Sequence, residues 1–242
     1  MAYPNFKNKH LQEALFHPKD FIRYKEFEKK NFPKRYIIIY QSSAKNYFLR
    51  KYKPKKIKEY SIYVHKGIGL IKMAGIGAPN AVTVFEELIA LGGRRFLNIG
   101  IAGGLQQEGI FLCEKAIRDE GTSYHYIKEG KYSYPDKNLT DKFGRTLEKM
   151  KISFMKGITW TIDAPYMETK AEVNHYRKEG VSTVEMETSA LFAVAKIRKV
   201  KIASAFVVSD VLGEKWDPKF HKINLRKSLN KLVDAGISCL KD

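Results

Sequence analysis

Short apolar runs alternate along this chain with segments in which apolar residues recur every three or four positions. Apolar runs of four to eight residues are typical of buried strands, and the three-to-four spacing is typical of helices with one buried face. The runs predict strands at 36–40, 60–65, 68–74, 95–101, 109–117, 154–162, 181–186 and 202–208. The helical spacing predicts helices at 18–30, 80–91, 139–149, 171–178, 188–198 and 220–240, with a short helix after 41–45. Because strands alternate with helices, we expect an α/β fold in which helices flank a mixed central sheet on both faces.

The 242 residues suffice for one α/β domain, and we expect a basic N-terminal arm at 1–35 and the domain at 36–242. Lys and Arg number 44 against 26 Asp and Glu, and residues 1–66 contain 17 of these basic and 5 of the acidic residues. The excess positive charge favours an anionic partner, either a phosphate-bearing small molecule or a nucleic acid, or is a lysine-rich solvated surface. The lysines lack the interleaved arginines and aromatics of a nucleic-acid interface, so we expect no nucleic acid partner. Residues 51–58, rich in lysine, predict an exposed connection.

Two cysteines, Cys113 and Cys239, lie far apart, which gives no basis for a disulfide framework or a paired-cysteine metal site. The six histidines are scattered without the spacing of metal ligands. No apolar run is long enough to span a membrane, and the first residues lack the apolar core of a signal peptide. We therefore expect a cytoplasmic protein with no membrane span, metal ion or organic cofactor.

Two glycine-rich turns stand beside predicted strands. The first contains Gly75 and Gly77, and the second contains Gly100. We expect Asn80 to cap the helix that follows the first turn. Glycine turns beside a parallel sheet leave backbone N–H groups free to bind an anion, although such turns are commoner as plain connections. The first turn does not match the dinucleotide-binding fingerprint, because Asn80 stands where that pattern needs glycine.

Acidic residues end two of the predicted strands. Glu185 lies at the end of the strand predicted at 181–186 and Glu187 directly follows it, and Asp210 follows the apolar residues of the strand at 202–208. A carboxylate at the end of a buried strand needs a polar partner, and a sugar diol would supply one. Alternatively, the glutamates complement a helix dipole and the aspartate caps the next segment. Together with the glycine turns, the two acidic places indicate cleavage at the anomeric carbon of a sugar.

From about residue 36 to the C-terminus, the chain resembles the nucleoside phosphorylase superfamily. That superfamily includes uridine phosphorylase, hexameric purine nucleoside phosphorylase and methylthioadenosine/adenosylhomocysteine nucleosidase. The resemblance is closest to uridine phosphorylase and is carried by several motifs in the right order. These are Gly75-Ile76-Gly77-Ala78-Pro79, Glu86-Glu87-Leu88, Leu91-Gly92, Ile99-Gly100, Arg118 with Gly121 and Ser123, and Glu185-Met186-Glu187.

The resemblance implies roles for individual residues. Met186 and Glu187, with Glu185 beside them, match positions that bind ribose, and Tyr166 with Pro165 matches the place beside the base. Asp210 in Val-Ser-Asp matches the acid that protonates purine N7 in the purine enzymes, with Ser209 on the base side, although uridine phosphorylases lack that acid. His10 matches an N-terminal histidine that reaches the ribose of a neighbouring subunit. Family members are dimers or hexamers, so the resemblance also implies a homo-oligomer.

The chain departs from the family pattern where phosphate binds. Asn98 replaces an arginine, Ile101 replaces a serine or threonine, and Lys45 is the only cation in the loop after the first strand. An arginine grips phosphate through two hydrogen bonds, whereas a lysine acts as a point charge. The phosphate-binding candidates are Gly75, Gly77, Gly100, Ile101, Asn98 and Lys45. Thr169 and Ala171 replace the glutamine and arginine that hold uracil.

These features favour phosphorolysis of a nucleoside, with inorganic phosphate as co-substrate and Asp210 as the general acid. The second interpretation is a phosphate-independent nucleosidase, although residues 41–46 contain no acid to match the catalytic glutamate of the hydrolytic relatives. A third interpretation, from another functional class, is a non-catalytic nucleoside-binding or assembly subunit. The accepted base, purine or pyrimidine, stays open.

Overall fold

The computed structural model describes residues 4–27, 31–58, 60–213, 215–220 and 222–241. Within these residues the strands are β1 (Arg35–Ile39), β2 (Lys55–Ile57), β3 (Ile62–His65), β4 (Ile68–Lys72), β5 (Arg95–Gly104), β6 (Ile110–Asp119), β7 (Tyr132–Ser133), β8 (Met155–Ile162), β9 (Val181–Glu185), β10 (Lys201–Leu212) and β11 (Trp216–Pro218). The α-helices are α1 (Pro18–Tyr24), α2 (Ser42–Tyr52), α3 (Ala78–Ala90), α4 (Lys137–Lys149), α5 (Lys170–Lys178), α6 (Thr188–Arg198) and α7 (Ile223–Leu240). Short 3-10 turns lie at Lys9–Leu11, Thr122–His125 and Pro165–Met167.

One mixed sheet runs in the order β11-β10-β6-β8-β9-β5-β1-β4-β3-β2, with β7 paired to β6. Strand β10 also pairs with β5, so β5, β10, β6, β8 and β9 close into a ring. The pairs β1/β4, β1/β5, β5/β10, β6/β8 and β8/β9 are parallel, whereas β5/β9, β6/β10, β10/β11 and the β2-β3-β4 pairs are antiparallel. The predicted mixed α/β fold is confirmed.

The core lies on both faces of the sheet because alternate strand side chains point to opposite sides. Ile37 and Ile39 of β1 pack with buried residues of α2, α4 and α7. Tyr36 and Ile38 of the same strand pack with buried residues of α3 and α6. Helix α1, in the predicted arm, buries Ile22 and contacts α3. No helix among the described residues is both long enough and apolar enough to cross a bilayer.

Several predicted elements differ from the structure. The helix predicted at 18–30 ends at Tyr24, and part of its remainder, residues 28–30, lies outside the described residues. The connection predicted at 51–58 instead holds the last turn of α2 and strand β2. Strand β2 pairs with β3, so its lysines lie on a sheet edge rather than in a loop.

The predicted cap at Asn80 is wrong, because the N-cap of α3 is Gly77, with φ of +95°. Only glycine adopts such a backbone readily, and the following Pro79 suits a first helical turn because it has no N–H to satisfy. Asn80 lies inside that first turn and its side-chain nitrogen donates to the carbonyl of Gly75 at 3.0 Å.

The second predicted glycine turn, at Gly100, is also wrong, because β5 continues through it to Gly104. The strand is paired on both sides there: Gly103 is opposite Val184 of β9 and opposite Asp210 of β10. A side chain at Gly103 would bring its Cβ to 3.0 Å from a methyl group of Val184. The glycines therefore allow three strands to approach closely rather than turning the chain.

Candidate active site

Glu185, the last residue of β9, is buried and closes the amino end of α6. Its Oε1 accepts from the Thr161 hydroxyl at 2.6 Å, and its Oε2 accepts from the backbone N–H groups of Glu187 and Thr188 at 2.9 and 2.8 Å and from the Thr188 hydroxyl at 2.7 Å. Burial raises the pKa of Glu185, and these hydrogen bonds oppose the rise. With four donors already present, this carboxylate fixes the backbone that carries Glu187, and its predicted contact with ribose stays a prediction.

Glu187 is the buried carboxylate that faces the first glycine turn. Its Oε1 accepts from the backbone N–H of Gly77 at 2.6 Å. Burial, and then the charge of Glu185, raise the pKa of Glu187 to about 8. Met186 lies half-buried between the two glutamates. The acid is therefore poised to exchange a proton near neutral pH, and its position is set by two elements that are far apart in sequence.

Asn98 of β5 is fully buried in a network of neutral groups. Its side-chain oxygen accepts from the Tyr40 hydroxyl at 2.9 Å, and its nitrogen donates to the hydroxyls of Thr188 at 3.3 Å and Ser204 at 3.2 Å. Burial, followed by the charges of Glu187 and Glu185, raises the pKa of Tyr40 well above its ordinary value. The position at which the resemblance implies an arginine is thus filled by an amide whose groups bond to protein.

The other phosphate-binding candidates lie in different surroundings. Gly100 faces the Tyr40 ring, since a Cβ there would lie 3.3 Å from Cδ2 of that ring. The Ile101 side chain packs on the opposite face of the sheet, with the core under α4 and α7. Gly75 is exposed, and Lys45 lies half-buried in the first turn of α2.

Asp210 is buried where β10 has a register shift at Ser209. Its Oδ1 accepts from the Ser209 hydroxyl at 2.7 Å, and its Oδ2 accepts from the indole N–H of Trp216 at 2.9 Å. A Cβ at Gly103 would lie 3.6 Å from that Oδ2 and 3.0 Å from Val184, which is adjacent to Glu185. Strand β9, which ends at Glu185, and strand β10, which carries Asp210, therefore flank Gly103.

Comparison with known proteins shows the family to which this chain belongs. Residues 38–238 match the family model of the phosphorylase superfamily. The chain belongs to the phosphorylase superfamily. The resemblance inferred from the motifs is thereby confirmed.

Three similar proteins illustrate the range within the phosphorylase superfamily. The chain is 28% identical over 153 residues to a uridine phosphorylase from Treponema pallidum, covering 57% of this chain and 59% of that protein. It is 27% identical over 138 residues to a guanosine phosphorylase from Halorubrum lacusprofundi, and the match covers 55% of this chain and 57% of that protein. An AMP nucleosidase structure from Bacteroides thetaiotaomicron shares the fold, with a TM-score of 0.75 at 22% identity over 91% of this chain and 97% of that one. The matches to the first curated relatives span less than two thirds of their length.

In this superfamily member, the loop after β8 carries the predicted base-binding residues. Tyr166 is fully exposed and Pro165 is exposed, and their predicted place beside the base stays a prediction. Glu168, which the sequence analysis missed, is half-buried in the same loop. Burial, and then the charge of Asp210, raise the pKa of Glu168 to about 7. The sequence around Glu168 gave little indication of a functional role, because a lone glutamate in a polar segment is typical of any loop.

His10 lies half-buried in the turn Lys9–Leu11, which contacts the turn Thr122–His125. A cleft of about 1180 Å³ opens between this arm, helix α3 and Asp163. Asp163 accepts from the Gly121 N–H at 2.7 Å, and its charge contributes to the raised pKa of Glu187. Asp163 therefore lines the cleft and acts on Glu187 through its charge, and the predicted role of His10 stays a prediction.

Proposed function

We propose that this protein cleaves the N-glycosidic bond of a nucleoside by phosphorolysis, giving a free base and ribose 1-phosphate. The observation that supports the proposal best is the buried Glu187 carboxylate bound to the Gly77 N–H. A second buried acid, Asp210, pairs with Gly103, which also pairs with Val184 of the strand that leads to Glu187.

In the proposed reaction, ribose lies against Met186 and Glu187. A phosphate oxygen bonds to C1′ while the C1′–N bond breaks, and the electron pair of that bond goes to the base. Asp210 gives the base a proton, and Glu187 holds the ribose hydroxyls more strongly as positive charge develops on the ring. The base lies near Ser209, Pro165 and Tyr166.

The proposed phosphate site uses the amino end of α2 and Lys45. The N-cap of this helix, Gln41, makes no side-chain capping hydrogen bond, and the first turn contains no acidic residue. Helix amino ends bind anions through backbone N–H groups, and Lys45 adds a positive charge in the same turn. Gly100 of β5 and the exposed Gly75 complete the proposed surroundings of the phosphate.

Hydrolysis is the second candidate function, and the neutral network of Asn98 favours it. An arginine would supply a bidentate cation for phosphate, whereas Asn98 is committed to Tyr40, Thr188 and Ser204. The side-chain oxygen of Gln41 is buried and accepts no hydrogen bond from the described residues. Such an oxygen can accept a hydrogen bond from a water nucleophile.

The test is to incubate the full chain with uridine, guanosine and adenosine, with and without inorganic phosphate, and to identify the sugar product. Phosphate-dependent release of ribose 1-phosphate supports the proposal. A phosphate-independent release of ribose would establish the hydrolase instead. Saturable nucleoside binding without turnover would support a non-catalytic subunit.

We further infer that the protein is a cytoplasmic homo-oligomer, between a dimer and a hexamer, that uses no metal or organic cofactor and binds no nucleic acid. The family resemblance supports the oligomer. Light scattering on the purified chain tests the assembly, and activity in the presence of a chelator tests the cofactor. A monomeric mass or loss of activity with the chelator would contradict the corresponding inference.

A further inference from the structure

Trp216 covers Asp210 from a hairpin that folds back on the same strand. Strand β11 pairs antiparallel with β10, with Leu212 opposite Trp216 and Asp210 opposite Pro218. The Trp216 indole N–H donates to Oδ2 of Asp210 at 2.9 Å. The backbone N–H of Lys219 donates to the Ser209 carbonyl at 2.9 Å, which ties the far end of the hairpin to the same place.

The exposure of Trp216 indicates that core packing does not account for its position. The residue is 61% exposed, although its indole N–H donates to the buried carboxylate of Asp210. The Phe220 ring lies 6.2 Å away, centroid to centroid, at a tilted angle. A large apolar ring gains little from this much exposure, so the hydrogen bond to Asp210 is the specific feature of this residue.

The two donors to Asp210 differ in what they can do. An indole N–H can only donate, whereas a serine hydroxyl can donate or accept. The Ser209 hydroxyl lies 2.7 Å from Oδ1 of Asp210 and 3.3 Å from the Ala102 carbonyl, so it can turn from one to the other. It can therefore serve both the protonated and the ionised acid. The Trp216 N–H donates only to a carboxyl oxygen of Asp210 that carries no proton.

We propose that Trp216 is a positioning residue for Asp210, which holds Oδ2 in place and stabilises the carboxylate left when Asp210 protonates the departing base. This inference rests on the proposed function. In the step, the proton moves from Asp210 to a nitrogen of the base as that base takes the electron pair of the broken C1′–N bond. The carboxylate that remains accepts hydrogen bonds from both Trp216 and Ser209.

The test compares two substrates that differ in their need for an acid. Guanosine needs a proton on its base as the bond breaks, whereas 7-methylguanosine already carries the positive charge and its base leaves without that proton. The variant W216F keeps an aromatic ring and removes the N–H donor. The control variant F220L changes the neighbouring exposed ring of the same hairpin and leaves Asp210 its donors.

For W216F we expect kcat on guanosine to fall about tenfold, since hydrogen bonds to charged groups contribute at least that much. We expect KM to change by less than about twofold and the rate on 7-methylguanosine to be unchanged. F220L should match the wild type on both substrates. Equal losses on both substrates, or no loss on either, would overturn the inference while leaving the proposed function intact.

The behaviour of the wild type separates the two proposals. If the wild type cleaves pyrimidine nucleosides only, the inference about Trp216 fails, because a pyrimidine has no N7 for Asp210 to protonate. If it cleaves no nucleoside at all, the proposed function itself fails.

Discussion

The backbone N–H of Gly77 donates a 2.6 Å hydrogen bond to Oε1 of Glu187, joining residues 110 positions apart. This bond links the turn before α3 to the amino end of α6. It also commits the Gly77 amide to a carboxylate of the protein, so that amide is not free for an external anion. The glycine turn therefore positions an acid.

Replacing Gly77 by alanine should destabilise the protein by about 1–3 kcal/mol, because φ of +95° is strained for any residue with a Cβ. Gly75 is the matched control, since it lies in the same turn, is exposed and would place a Cβ no closer than 3.8 Å to a neighbour. Urea unfolding of G77A and G75A measures the difference. Equal losses in the two variants would contradict the importance of the Gly77 backbone.

Glu187 should make the protein less stable as the pH rises. Its pKa is raised from 4.5 to about 8 in the folded state, so the folded protein binds the extra proton between these values. The free energy of unfolding should therefore fall as pH increases from about 4.5 to about 8. In E187Q this contribution should disappear.

Urea unfolding at several pH values tests this, with E148Q as the control because Glu148 is an exposed glutamate on α4. We expect E187Q to gain stability over the wild type at pH 8 relative to pH 5, and E148Q to follow the wild type. Parallel curves for the wild type and E187Q would show that the acid is not perturbed.

Asn98 should contribute to the free energy of unfolding, besides bearing on whether phosphate or water is the nucleophile. Replacing it by leucine removes the partner of the Tyr40 hydroxyl and leaves that buried group unpaired, at a cost of about 1–3 kcal/mol. The control is N230L, because the side-chain oxygen of Asn230 is buried and has no hydrogen-bond partner among the described residues. Thermal unfolding should show the larger decrease for N98L, and the reverse order would contradict the network.

Asp210 should be required for cleavage of purine nucleosides. D210N keeps the shape but cannot supply the proton, so kcat on guanosine should fall by about 10²- to 10⁴-fold. Asp217, an exposed aspartate of the neighbouring strand, gives the control D217N. Steady-state kinetics of both variants with guanosine test this role. Turnover by D210N at the wild-type rate would show that Asp210 is not the general acid.

Glu168 should report the charge of Asp210 directly. Its pKa is raised to about 7, first by burial and then by that charge. Carbon NMR of glutamate carboxyls should show Glu168 titrating near 7 in the wild type and at lower pH in D210N. An unchanged titration in D210N would mean that the two acids do not interact.

The regular elements could be predicted where the local pattern sufficed. Helix α6 has the predicted bounds 188–198, and the hairpin of β3 and β4 lies where the apolar runs place it. Predictions were wrong where the residues of a short segment favoured a structure that its tertiary contacts do not allow. The glycines at 100–104 indicated a turn but lie in a strand, because β9 and β10 approach them from both sides.

The sequence alone determined the α/β class, the superfamily and the acidic candidates Glu185, Glu187 and Asp210, because apolar periodicity and short motifs are properties of neighbouring residues. Only the tertiary structure decided that Glu185 caps α6, that Asn98 is bound to Tyr40, and that Trp216 donates to Asp210. It also brought Gly77 to Glu187 and Glu168 near Asp210. Most of these contacts join strands and loops far apart in the chain, and desolvation and hydrogen bonding act through space rather than along the sequence.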